Sequence, residues 1–393
     1  MKIKKIGLLP KIITAIILGL LLGMVMPAAV VRIFVTFNSI FASFLFFCIP
    51  LIIVGLIAPG IADLGKNAGR LLAITTLIAY GSTIFSGFFT YFSCMGTFPY
   101  LLEPGTALTT VDNPESSLLS AYFTIDVLPL FDVMTALVLA FILGLGIAVC
   151  HGETLKSAMT ELKSIVERII TAIIIPLLPI YIFGIFLNMS YSGAAFSIMA
   201  IFGKIIGVIF VLHILLLLIL YVVAWAITGR HPFKLLYNML PAYMTALGTS
   251  SSAATIPVTL AQVKKSGVRE DVADFCVPLC ANIHLPGSTL KITAMALAIC
   301  MLTGRPFDVG LFSGFIMMLA IIMVAAPVVP GGAIMASVGV LQSILGFDEA
   351  AIGLMISLYI AIDSFGTACN VTCDGAMAVV LEKIQTKSPK HKP

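Results

Sequence analysis

Long apolar runs, separated by short polar segments, follow one another along most of the chain. Examples are "IITAIILGLLLGMVM" near the N-terminus and "IIGVIFVLHILLLLILYVVAWAI" near the middle. Such runs approach or exceed the roughly 20 residues that cross a bilayer as an α-helix. The pattern predicts eight transmembrane helices, at residues 11–31, 36–60, 70–95, 129–150, 164–189, 197–228, 270–301 and 349–382.

Two further apolar segments are interrupted at their centres by small residues, Ser250-Ser251-Ser252 in the first and Pro330-Gly331-Gly332 in the second. Each leaves from and returns to a loop on one side. Non-helical backbone at membrane depth survives only inside protein or along a wet cavity, so both segments are predicted to be re-entrant helical hairpins.

A span with a break of its own follows each hairpin, at "ANIHLPG" and at "GTACNVTCDG". Hairpin plus broken helix thus occurs twice, entering from opposite sides. This arrangement predicts an inverted repeat, whose substrate site lies near the membrane midplane where the hairpin tips meet.

The composition agrees with an all-α polytopic membrane protein. Of 393 residues, 60% are hydrophobic and only 10% are charged, and the mean hydropathy is +1.14. A soluble domain carries about 25% charged residues. The net charge of +4 does not indicate a nucleic-acid partner, because the basic residues gather in short loops.

Lysine and arginine are concentrated in alternate loops and at both ends of the chain. Lys66 and Arg70 follow the second predicted span, whereas "TFPYLLEPGTALTTVDNPESS" after the third contains neither residue type. Positively charged loops face the cytoplasm. We therefore expect both termini to be cytoplasmic, and the compact chain favours a bacterial cell (inner) membrane.

Polar groups within the last predicted span form a stripe. Asp363, Thr367, Asn370 and Asp374 follow the helical spacing i, i+4, i+7 and i+11. A carboxylate at the bilayer centre costs about 2.5–3.5 kcal/mol, so each aspartate needs a partner. Two interpretations are open: the stripe satisfies neighbouring helix ends, or it binds an amine, a carboxylate and a cation.

Other polar residues have several interpretations. The hydroxyls and free N–H groups at Ser250–Ser252 suit a substrate carboxylate. Lys291 could extend to the membrane surface, pair with an aspartate or stand in for a metal ion. Lys204 and His213 are interpreted as structural. The pairs Cys280/His284 and Cys369/Cys373 could form a soft metal site, although no further ligand supports one.

Four stretches make the chain similar to the dicarboxylate/amino acid:cation symporter family, which has the glutamate-transporter fold. They are "CIPLIIVGLIAPGIADLGKNAGR", "GTSSSAATIPVTLAQVKKSG", "VPGGAIMASVGVLQ" and "DSFGTACNVTCDGA". The resemblance covers nearly the whole chain and implies a homotrimeric, elevator-type transporter. It implies a scaffold at residues 1–68 and 129–190, a transport domain at 69–95 and 191–393, and an extracellular loop at 96–128.

The resemblance also implies roles for individual residues. Asp363 would hold a substrate amine, and Asp374 would bind a cation with help from the backbone carbonyls of Cys280, His284 and Asn370. The substrate-binding positions implied in this way are Ser250, Ser251, Ser252, Ser288, Val329, Gly331, Ala333, Asp363, Gly366, Thr367 and Asn370. No cofactor is expected.

One departure from the family bears on the substrate. Glutamate and aspartate carriers have an arginine directly before the residue that matches Thr367, and this chain has Gly366 there. Arginine is the natural bidentate partner of a carboxylate, so its absence argues against an acidic side chain. We predict a small neutral amino acid such as serine, threonine or alanine, although Gly366 leaves volume for a larger one. The alternative is an acidic amino acid or dicarboxylate.

A second departure bears on the coupling ion. The family usually has Asn-Met-Asp-Gly where this chain has His284-Leu285-Pro286-Gly287, so one sodium site of the family is expected to be absent. Sodium coupling through Asp374 is favoured slightly over proton coupling through His284, and Lys291 is a candidate ion surrogate. An anion channel is a rival class. An enzyme is not expected, because neither G-x-S-x-G nor H-E-x-x-H occurs.

Overall fold

The computed structural model describes residues 8–66, 70–102, 119–125, 127–131, 133–150, 152–193, 195–326 and 331–387. Within these ranges the regular structure is helical and no strand occurs. The helices are α1 (Leu8–Gly23), α2 (Ala28–Lys66), α3 (Arg70–Leu101), α4 (Val133–Cys150), α5 (Glu153–Tyr191), α6 (Ala195–Thr228), α7 (Pro232–Thr249), α8 (Ser252–Lys265), α9 (Glu270–Ile283), α10 (Pro286–Thr303), α11 (Val309–Ala325), α12 (Gly332–Leu345), α13 (Glu349–Ala361) and α14 (Asp363–Lys387).

Five stretches of the described residues are long and apolar enough to cross a membrane, within α2, α3, α5 and α6 and across α9 and α10 together. Helices α13 and α14 add a sixth if the pair, bent by 62°, is taken as one span. The apolar parts of α1 and α4 are shorter. The prediction of a polytopic all-α membrane protein agrees with these helices, and the count of eight spans stays a prediction.

The boundary between the first two helices differs from the prediction of 11–31 and 36–60. Helix α1 ends at Gly23, and α2 already begins at Ala28. The physical reason is Pro27, which lacks an N–H and disfavours helical backbone at Met26 before it. The fixed φ angle of Pro27 is compatible with entry into a helix, so α2 begins directly after it and earlier than predicted.

Helix α5 is longer than the predicted span at 164–189, because an amphipathic segment from Glu153 onward continues into the apolar part without a break. A single π-helical turn at Ile170–Ile174 joins the two parts. Pro176 lies two residues beyond the end of this turn and has no N–H to donate to the carbonyl of Ala172, so the regular α-helical hydrogen bonding is interrupted there.

Helix α3 runs to Leu101 rather than ending at residue 95, so the predicted loop at 96–128 begins later. Phe98 and Leu102 are buried at this end, and the Leu102 N–H donates to the Phe98 carbonyl over 2.7 Å. Apolar packing therefore carries the helix past Pro99.

The first predicted hairpin is seen as α7, a sharp reversal and α8. Ser250 has φ 49°, ψ 29°, the left-handed conformation, and it is the one non-glycine residue with positive φ in the part of the chain that is described. The Ser251 hydroxyl then caps α8 by accepting from the Ala254 N–H over 3.3 Å. The serine run is thus a helix C-terminus followed directly by a helix N-terminus.

The break at "ANIHLPG" is also seen. Helix α9 ends at Ile283, His284 and Leu285 have non-helical backbone, and α10 starts at Pro286. Every residue from Pro286 to Leu302 is buried. Helix α10 packs against α3, α6, α13 and α14, so its start lies inside the protein.

The second break lies elsewhere than predicted. The prediction placed it within "GTACNVTCDG", but the bend falls at Ile362, and α14 is one continuous helix from Asp363. The glycines in that motif serve close packing instead. A Cβ added to Gly375 would lie 2.7 Å from the Tyr221 hydroxyl, and one added to Gly366 would lie 2.3 Å from Lys291 Cε.

Candidate functional site

Three helix ends meet around α14: the start of α10, the start of α12 and the bend before Asp363. The predicted stripe lies on this continuous helix, and Asp363, Thr367, Asn370 and Asp374 are all buried. A buried polar group needs a hydrogen-bond partner, so the partners of each stripe residue define what the site can do.

Asn370 is bound to the start of α10. Its Oδ1 accepts from the N–H groups of Gly287 (2.7 Å) and Ser288 (3.2 Å), and its Nδ2 donates to Ser288 Oγ over 2.9 Å. The first N–H groups of a helix have no partner within the helix, and this amide supplies one. The alternative in which the stripe satisfies neighbouring helix ends therefore holds for Asn370.

Gly287 makes this contact possible. A Cβ at residue 287 would lie 2.7 Å from Cys369 Cβ and 2.8 Å from the Gly366 carbonyl oxygen. Both neighbours belong to the packed interior of α14 and have little room to move.

We expect Gly287→Ala to destabilise the protein by about 1–3 kcal/mol, because the new methyl group forces α10 away from α14. The measurement is thermal unfolding of the purified protein in detergent. Gly203→Ala in α6 is the matched control, since a Cβ there meets nothing within 4 Å. Equal melting temperatures for the two variants would contradict the prediction.

Asp374 is paired with His284. His284 Nδ1 lies 2.9 Å from Asp374 Oδ1, and His284 Nε2 lies 3.0 Å from Ser82 Oγ on α3. The side chains of His284 and Asp374 are 2% and 1% exposed. The imidazole thus lies directly beside the carboxylate that the resemblance assigns to a cation, and it joins α3, the α9–α10 break and α14.

The other implied cation groups have partners of their own. The Cys280 carbonyl accepts from the His284 N–H over 2.9 Å, and the Cys280 thiol lies 3.5 Å from that of Cys276. Across the described residues, His, Cys, Asp and Glu form no group of three or more that could hold a metal ion. Within the described residues, the Cys280/His284 and Cys369/Cys373 pairs therefore do not join into one such group.

Asp363 connects two other elements. Its Oδ1 lies 3.0 Å from Lys291 Nζ on α10, and its Oδ2 accepts from the Gly331 N–H over 2.8 Å. Gly331 precedes α12 and has φ 75°, a conformation that suits glycine. The start of α12 is therefore bound to the carboxylate that the resemblance assigns to the substrate amine.

Lys291 is fully buried, and its ammonium lies 3.7 Å from the centroid of the Tyr359 ring. Of the three possibilities for Lys291, extension to the membrane surface is wrong and pairing with an aspartate is correct. The lysine side chain occupies the space beside Gly366, since a Cβ at residue 366 would lie 2.6 Å from Nζ. The volume expected there for a larger substrate is thus filled by Lys291.

The remaining predicted residues have local partners. Thr367 Oγ1 donates to the Asp363 carbonyl over 3.1 Å. Ser250 and Ser251 are partly exposed, whereas Ser252, Ser288, Gly331 and Ala333 are buried. Val329 lies outside the described residues. The hydrogen bonds described for the serine tip stay within the first hairpin and do not reach the α14 stripe.

Sequence reasoning missed several residues of this site. The Tyr359 hydroxyl donates to Ser288 Oγ over 3.1 Å, and Ser86 Oγ donates to the Pro286 carbonyl over 2.7 Å. His213, interpreted as structural, contacts the Gly287 carbonyl through Nε2 at 3.1 Å. Tyr359 stands four residues before Asp363 in an apolar run, which is the one sequence signal that could have identified it.

Two comparisons with known proteins bear on the family of this chain. The family model described as "Sodium:dicarboxylate symporter family" matches residues 8–384. The chain is 26% identical over 388 residues to the serine/threonine transporter SstT of Acinetobacter baumannii, covering 94% of this chain and 95% of the relative. Family and relative are transporters and not enzymes, so the expectation that the chain is no enzyme is confirmed. The resemblance predicted from the motifs is confirmed as well, and the chain belongs to the sodium:dicarboxylate symporter family.

Proposed function

We propose that this symporter imports a small neutral amino acid, with serine, threonine and alanine as the first candidates, in a bacterial inner membrane. The Lys291–Asp363 ion pair carries the proposal. One positive and one negative side chain give this part of the site no net charge. A zwitterion adds none, whereas an acidic amino acid adds a negative charge that needs a further cation in a buried site.

The roles of the substrate groups follow the family resemblance. The amine is assigned to Asp363, and the carboxylate is assigned to the N–H and hydroxyl donors of the serine tip and Thr367. The serine/threonine transporter relative supports this substrate class.

Transport is assigned to an elevator movement within a homotrimer whose termini are cytoplasmic. Helices α1, α2, α4 and α5 pack mainly on one another and form the proposed scaffold. Helices α3 and α6–α14 form the proposed transport domain, with α7–α8 and α11–α12 as re-entrant hairpins.

The driving cation is assigned to sodium, with Asp374 as its carboxylate and carbonyl oxygens as further ligands. A proton gradient is the second candidate, because His284 lies 2.9 Å from that carboxylate.

Uptake of radiolabelled amino acids into proteoliposomes tests the proposal. We expect accumulation of serine, threonine or alanine in an inward sodium gradient. Glutamate, aspartate and succinate are expected to accumulate at least about tenfold less, since one unpaired charge costs more than 1.4 kcal/mol. Uptake of the acidic compounds alone would overturn the substrate assignment. Full accumulation in a pH gradient without sodium would instead assign the coupling to protons.

A further inference from the structure

The proposed function uses Lys291 only through the net charge of its pair with Asp363. A lysine within a membrane-spanning segment has a high free-energy cost, and Lys291 is fully buried. It is held by one ion pair and by one aromatic ring, and a glycine at residue 366 makes room for it. An acidic residue, an aromatic ring and a residue without a side chain therefore all favour a cation at this position.

We propose that Lys291 is a tethered competitor of the substrate amine and is the counter-charge of Asp363 whenever the site is empty. This inference rests on the proposed function, in which Asp363 binds the amine. An ammonium group at 3.0 Å from Asp363 Oδ1 occupies the position that a substrate ammonium requires. Binding then exchanges one ammonium for another at the same carboxylate.

The second hairpin gives the competition a consequence for transport. The Gly331 N–H donates to Asp363 Oδ2, so the start of α12 holds this buried carboxylate. In an empty site Asp363 has no substrate amine as its partner. Lys291 supplies the missing positive charge, and the empty carrier can return across the membrane without an exchanged cation.

The variant Lys291→Met is tested by comparing two modes of transport, net uptake and exchange. Exchange of internal for external substrate uses only the loaded carrier, whereas net uptake requires the empty carrier to return. We expect the ratio of net uptake to exchange to fall at least about tenfold, because the return step now buries an unpaired carboxylate. The KM for exchange is expected to fall, because the substrate amine has lost its competitor.

Lys204→Met in α6 is the matched control, since Lys204 reaches only the Leu101 carbonyl in the described contacts. An unchanged ratio in Lys291→Met, or a KM that rises with no change in the ratio, overturns the inference. If the wild type itself takes up no neutral amino acid, that result contradicts the proposed substrate and not the role of Lys291.

A measurement on the wild type covers the case in which Lys291→Met does not fold. Proteoliposomes are filled either with potassium or with choline, a cation too large to pair closely with Asp363. We expect equal rates of net uptake, because the empty carrier brings its own cation. A requirement for luminal potassium would mean that Lys291 does not serve as the counter-charge.

Discussion

Asp363→Asn is expected to lower amino acid uptake at least about 100-fold, because the variant removes the charge that binds the substrate amine. It also leaves Lys291 as a buried ammonium beside a neutral amide. Two effects are thus combined, a loss of binding and a loss of stability. Uptake into proteoliposomes measures the first effect, and thermal unfolding in detergent measures the second.

The double variant Asp363→Asn/Lys291→Met separates these effects. It removes both members of the ion pair, and replacing both partners of a buried pair costs far less stability than removing one. We expect the melting temperature to recover and uptake to remain lost. Asp348→Asn is the control, because Asp348 is a half-exposed cap of α13 that pairs with Arg305. Uptake by the double variant near the wild-type rate would show that Asp363 is only structural.

Much of the helical pattern could be predicted because long apolar runs have one stable solution in a bilayer. The breaks at Ser250–Ser252 and at His284 were predicted correctly, since polar and helix-breaking residues inside apolar runs are rare without a purpose. The boundaries at Gly23 and Leu101 were less predictable, because local proline geometry and packing decide where such helices end.

The break before Asp363 shows why motif composition misled the prediction. Glycine and polar residues in "GTACNVTCDG" resemble a helix break, yet they lie within a regular helix. Gly366 and Gly375 are small because Lys291 and Tyr221 come close to them from other helices. Only the three-dimensional packing distinguishes a glycine that bends a helix from one that admits a neighbour.

The contacts of the stripe were predictable in kind but not in partner. The position of both aspartates inside the membrane indicated that they need partners, and Lys291 was a candidate. Pairing Lys291 with Asp363 and His284 with Asp374 depends on the 72-residue and 90-residue separations being closed by the fold. A sequence without its tertiary contacts does not specify which cation reaches which carboxylate.

His284→Ala is the second substitution with a large expected effect. It leaves the buried Asp374 Oδ1 without its described partner, and loss of one member of such a pair costs about 3 kcal/mol. We expect a clear fall in the melting temperature. His231→Ala is the matched control, since His231 is exposed at the start of α7. His284→Asn restores the amide that the family usually has there and is expected to recover part of the lost stability.

The effect of sodium on the melting temperature tests whether His284 occupies the position of a coupling cation. In His284→Ala the Asp374 carboxylate is left for a hard cation, which binds the folded state and stabilises it by mass action. We therefore expect sodium chloride to raise the melting temperature of both His284→Ala and the wild type, with choline chloride as the ionic-strength control. A sodium effect confined to His284→Ala would mean that the imidazole occupies the position of the ion in the wild type, which would contradict the assignment of sodium to Asp374.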